Sequence, residues 1–139
     1  MGAVMTTSGL FATALRFGSM AFFSAVIAPL IFTKLGAETA GRFIRQVFPW
    51  YYLTIITLAV AAALSLTFSR GPDAVVLGAV AAAGVIARQV LMPRINRARD
   101  AADEGEAKAR KRFSRLHRQS VWINAAQMLA VAIVLARFV

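Results

Sequence analysis

Four stretches of the chain are apolar at nearly every position. They run from Leu10 to Phe32, broken only by Arg16, from Trp50 to Phe68, from Ala74 to Met92, and from Val121 to Val139. A helix needs roughly 20 such residues to cross a bilayer. Only helices and closed barrels satisfy their backbone in lipid. Four runs are too few for a barrel, and they lack the alternation of barrel strands. The pattern predicts an all-α fold: a four-helix transmembrane bundle forming a single integral membrane domain over residues 1–139.

Punctuation between the runs fits this reading. Pro49 suits a first helical turn, and Trp50-Tyr51-Tyr52 after it suit an aromatic belt at headgroup depth. Arg70-Gly71-Pro72-Asp73 reads as a tight turn, with Asp73 placed to cap the third helix. Pro93 is expected to end or kink the third span. The polar segment 94–118 is rich in Arg and Ala. It predicts a helix over Ile95 to Ala102, a break near Gly105, and a helix from Glu106 that continues into the fourth span.

Composition sharpens the class. Hydrophobic residues make up 59% of the 139 and charged residues 16%, against about 45–50% and about 25% in soluble domains. Mean hydropathy is +0.66. Disorder and a large multidomain enzyme are excluded. With no cysteine and one histidine, so are disulfides, thiolate chemistry and a zinc site within one chain. Two N-terminal patterns are read as coincidence. Met1 to Thr6 matches a myristoylation signal, and Ala37-Glu38-Thr39-Ala40 resembles a signal-peptide cleavage site. No Lys or Arg precedes the first run, which is too long for a signal peptide.

The net charge of +10 is unevenly placed. Lys34, Arg42 and Arg45 lie between the first two runs, and nine Lys or Arg lie between 94 and 118. The opposite side has Arg70 and Arg137. The positive-inside rule places the basic side in the cytoplasm and both termini outside. Because the basic cluster abuts a span, it predicts contact with anionic lipid headgroups and no nucleic acid.

Polar residues inside spans are costly and ask for a reason. At about 100° per residue, His117, Ser120, Asn124 and Gln127 fall within an arc of about 80°. They form one stripe that stops halfway down the fourth helix, where Val131 and Val134 continue the face. Thr54, Thr57, Ala61 and Ser65 form a weaker counterpart on the second helix. Ala81, Gly84 and Arg88 share one side of the third. Such residues hold bundles together or build a site. The two span arginines, Arg16 and Arg88, are expected to snorkel: Arg88 to the cytoplasmic surface, Arg16 outward towards Asp73. All six acids lie outside the apolar runs, so no membrane carboxylate is placed to carry protons or cations. No nucleotide or triad motif is present, and no cofactor or enzymatic role is expected.

Several segments together carry a resemblance. They are Phe23-Ser24-Ala25-Val26-Ile27-Ala28-Pro29, Ala40-Gly41-Arg42-Phe43, Val47-Phe48-Pro49-Trp50-Tyr51-Tyr52, Met92-Pro93-Arg94-Ile95-Asn96-Arg97-Ala98-Arg99-Asp100 and Phe113-Ser114-Arg115-Leu116-His117-Arg118-Gln119-Ser120. With Asn124 and Gln127, this set resembles the bacterial branch of the transmembrane-protein-205-like family, a domain of unknown function. The resemblance implies a four-helix membrane fold and no established reaction, substrate or cofactor. The Asn96 and Asp100 turn, His117, Ser120, Asn124 and Gln127 are expected to converge on a cytoplasmic mouth. A small solute or lipid headgroup would bind or pass there, in a homo-oligomer or beside a membrane-protein partner. The alternative is a non-catalytic accessory subunit of a larger membrane complex.

Overall fold

The computed structural model describes residues 1–139, all helical and without strands. Four helices are long and apolar enough to cross a membrane: α1 Gly2–Lys34, α2 Ala37–Leu66, α3 Gly71–Asp103 and α4 Ala107–Ala136. The links between them are Leu35-Gly36, Thr67 to Arg70 and Glu104 to Glu106. Links this short make each helix antiparallel to its predecessor. Each helix packs on its sequence neighbours, and α4 returns against α1 to close the ring. One end of the bundle carries both termini and the α2–α3 link. The other, basic end carries the remaining two links.

The periphery is apolar. Phe11, Phe22, Trp50, Phe68, Trp122 and Ile133 are all bare on the outside of the bundle. In water such a surface would be an aggregation hazard; in lipid it is solvated. The chain is an integral membrane protein.

Inside, two apolar layers are separated by a polar one. Near the termini, Ala62, Leu66, Leu77, Val80, Val131 and Val134 form one cluster. Towards the basic end, Met20, Tyr52, Ile55 and Ala87 form the other. Between them lie the buried side chains of Thr13, Arg16 and Gln127.

The helices outrun the apolar runs, and no proline stops them. Pro29 and Pro93 each sit two residues after a π-helical turn, Phe23–Ile27 and Ala87–Leu91. In both, the closing amide bonds five residues back: Ala28 N–H to Phe23 O and Met92 N–H to Ala87 O. A proline ring collides with the carbonyl four residues earlier. That residue is Ala25 for Pro29 and Gln89 for Pro93, the centre of each wide turn. Widening the turn makes room for the ring, so α3 runs on to Asp103 instead of ending at Pro93.

Pro49 likewise lies inside a helix, not at its start. Extended Gly36 precedes α2, and Glu38 in the first turn complements the dipole. The tight link moves the start twelve residues ahead of Pro49. Only Trp50 of the expected aromatic belt then faces outward; Tyr52 is buried and Tyr51 half-buried. The Thr54, Thr57 and Ala61 stripe faces out of the bundle, where Thr54 Oγ1 donates to its own helix at Trp50 O. The break between α3 and α4 falls at Gly105, whose φ of 96° favours glycine.

Asp73 does not cap α3, which has no side-chain cap. It lies in the first turn, 1% exposed, where its Oδ2 accepts from Arg70 Nε at 2.7 Å. Arg137 Nη1 stands 3.0 Å from Oδ1. Four of the six acids, Glu38, Asp73, Asp100 and Asp103, therefore lie within the spanning helices, all in their terminal turns.

Candidate functional site

Past the wide turn in α1, the segment Phe23–Lys34 no longer packs closely on α4. A turn of this kind next to a proline bends a helix. The divergence leaves a half-open cleft of about 400 Å³ at the basic end, lined by residues from all four helices. That volume falls within the range of small-molecule sites, roughly 300–1,000 Å³.

The inner wall is aromatic. Phe23 and Tyr51 rings lie 4.6 Å apart, Phe23 and Phe48 5.4 Å, and Tyr51 and Tyr52 5.7 Å. On α2 the lining positions are Gly41, Ile44, Arg45, Phe48, Tyr51 and Tyr52, a spacing that keeps one helical face towards the cleft. Opposite, Phe113 stacks on His117, their rings 5.8 Å apart and 13° from parallel. The polar groups are Arg45, Arg99, Asn96, His117 and Ser120, with Asn124 deeper. Tyr51 O–H donates to Asn124 Oδ1 at 3.3 Å.

Arg99 is held by an absence. A Cβ on Gly41 would collide with the Arg99 guanidinium. With glycine there, Arg99 lies across α2 and its Nη2 donates to Ala37 O at 3.1 Å.

Of the six side chains expected to converge, Asn96, His117, Ser120 and Asn124 line the cleft. Ser120 Oγ donates to His117 O at 2.7 Å. Asp100 does not line it. Asn96 and Asp100 sit within a continuous helix, not a turn, and Asp100 accepts from Arg45 Nη2. Gln127 does not line it either. It is buried one turn below Asn124, where its Oε1 accepts from Arg16 Nη2 at 2.8 Å. Arg16 Nη1 donates to Ile55 O at 2.7 Å.

Arg16 therefore does not snorkel, nor does it approach Asp73. Its side chain is 0% exposed, and Nε has no partner. Polar acceptors on α2 and α4 hold it where lipid cannot reach. Arg88 is tied inward as well, with Nε donating to Pro49 O at 3.3 Å across to α2.

Sequence reasoning missed the aromatic wall and the two rim arginines. For Phe48, Tyr51, Tyr52 and Arg45 the signal was the 41, 44, 45, 48, 51, 52 spacing, hidden by starting the second helix at Pro49; Arg99, on α3, had none. The cleft has the parts to hold an amphipathic molecule: apolar depth, one deep amide, and cations at the rim. No group of three His, Asp or Glu side chains is gathered that could hold a metal ion.

No curated protein and no solved structure matches the chain. The model of one family, described as a domain of unknown function (DUF4149), matches residues 11–104. That match takes in all of α2 and α3 and most of α1, including all of the aromatic wall contributed by Phe23, Phe48, Tyr51 and Tyr52, and the chain belongs to this family.

Proposed function

We propose that the protein binds a small amphipathic solute or a lipid headgroup in the cleft, admitted from the side between α1 and α4. The observation that carries this reading is the pairing of an aromatic inner wall with a polar, cationic rim in a site of about 400 Å³. Such a site favours a ligand with an apolar body and a polar or anionic end. By the positive-inside rule the cleft faces the cytoplasm and both termini face outward; the resemblance to a bacterial branch points to a bacterial inner membrane. Kinship with the transmembrane-protein-205-like branch belongs to the same proposal.

A second reading rests on α3. Gly78, Ala79 and Ala82 are exposed on its outer face, and nothing lies within 4 Å of a Cβ added at Gly78. Small residues let membrane helices approach closely. This face suits packing against a second copy or a larger membrane complex.

Native mass spectrometry of the protein gently extracted from its own membrane separates the two. The cleft reading expects a reproducible small ligand, lost in Asn124→Leu or His117→Ala. A stoichiometric protein partner without a ligand favours the accessory role. A chain that carries neither overturns the cleft reading.

A further inference from the structure

A second concavity lies between α3 and α4 at the basic end, apart from the cleft. Ala98 of α3 and Ala109 of α4 form its floor, each 4% exposed. Their small side chains bring the two helices close. Arg94 and Arg97 line one wall, and Lys108 and Arg112 the other.

The charges at this end are sorted. Arg42 pairs with Glu38, Arg45 with Asp100 and Arg99 with Asp103. None of the four groove cations has an acid within ion-pair distance. The one contact among them is Arg97 Nε donating to its own helix at Pro93 O, 3.4 Å. Glu106 is the one carboxylate lining the groove, which leaves an excess of three positive charges between two close helices. The adjoining start of α4, a 30-residue helix, has no side-chain cap. Its free amides and dipole add to the positive field.

We infer that this groove is a binding site for a phosphate group, belonging either to a lipid headgroup or to a free phosphate compound. Repulsion among the four cations is relieved best by a compact, multiply charged oxyanion. Guanidinium forks match phosphate oxygens in pairs. Arg94 lies two residues after Met92, the end of the third apolar run, so the groove is at the membrane–water boundary, within reach of both sources.

The test uses the full chain in micelles of an alkyl maltoside, which carries no phosphate. Retention of added phosphatidylglycerol is read by native mass spectrometry, and binding of pyrophosphate by calorimetry. Arg94→Gln with Arg112→Gln is compared with Arg110→Gln plus Arg115→Gln, an exposed pair outside the groove. Since neither groove arginine has an intramolecular tie, both double variants should melt with the parent, and Lys108→Gln provides an independent third variant. The groove pair should lose about tenfold more affinity than the control pair. Phosphatidylglycerol retention without pyrophosphate binding identifies the lipid source, and pyrophosphate binding without phosphatidylglycerol retention the free one. Equal loss in both pairs, or no phosphate ligand of either kind, overturns the site.

Discussion

Arg16 Nη2 donates to Gln127 Oε1 at 2.8 Å in the middle of the bundle, and no carboxylate pairs with the guanidinium. A buried cation held by neutral acceptors is a hydrogen-bonding centre: it ties α1 to α4 through Gln127 and to α2 through Ile55 O. The two sides of this contact are not equivalent. Removing the acceptor leaves a dry charge short of one partner, whereas removing the cation also removes its desolvation cost. Gln127→Leu should therefore destabilise the bundle by about 2 kcal/mol. The double variant Arg16→Met, Gln127→Leu should recover part of that loss. Unfolding in mixed micelles measures both. A double variant no more stable than Gln127→Leu alone would sink this account.

Close approach of α2 and α3 depends on Gly84. A Cβ there would stand 2.9 Å from Ile56 Cγ1 and 4.0 Å from Gln127 Oε1. Ile56 is only half-buried and can shift, so Gly84→Ala should stay within about 1 kcal/mol of the parent, helped by alanine's better helix propensity. Gly84→Leu has no such escape. It should cost about 3 kcal/mol through overpacking and weaken the Arg16–Gln127 bond beside it. A graded series of thermal melts in detergent checks this, and equal tolerance of both variants contradicts it.

The architecture was legible in the sequence because lipid imposes a simple rule, that long apolar runs become helices. Helix limits were less legible, and the prolines explain why. Pro49 and Pro93 read as boundaries, yet both, like Pro29 inside the first run, lie within long helices. At Pro29 and Pro93 the backbone widens one turn, a change that no residue type announces. The site suffered from the same cause. The His117, Ser120, Asn124 stripe was visible from its period of 3.6. Phe48, Tyr51 and Tyr52 were not seen as one face, because the helix that aligns them was taken to begin at Pro49. Gln127 and Asn124 looked equivalent on that stripe. They part company only because Arg16 crosses from α1 at the level of Gln127, a tertiary contact across 111 positions of sequence.

Asp73 is the counterpart of Arg16 at the end that carries the termini. Its carboxylate is buried between Arg70 and Arg137, Arg70 Nη2 donates to Arg137 O at 2.7 Å, and the Arg70 guanidinium lies 4.2 Å from the centre of the Phe138 ring. This cluster pins the C-terminal residues beyond α4 to the α2–α3 link. Asp73→Asn would leave two arginines without a counter-charge. Both arginines are partly exposed, so the cost is discounted to about 1–2 kcal/mol from the value for a fully buried pair. Faster hydrogen exchange should follow over Ala136 to Val139, with the basic end unchanged. Uniform exchange along the chain would show that Asp73 pins nothing locally.

The proposed topology can be read directly, because the chain has no cysteine and any introduced thiol is the sole target for a maleimide reagent. Ser8 is exposed near the N-terminus, and Glu104 is exposed in the α3–α4 link at the other end of the bundle. Neither has a side-chain hydrogen bond or ion pair to lose, and neither needs a positive φ. In intact cells a membrane-impermeant maleimide should label Ser8→Cys and leave Glu104→Cys untouched, while both react after the membrane is opened. The expectation follows from the concentration of Lys and Arg beside the second site, a bias that retains a segment in the cytoplasm. Labelling of Glu104→Cys alone in intact cells would invert the bundle. The cleft and the α3–α4 groove would then open to the outside, and their ligands would have to be sought there.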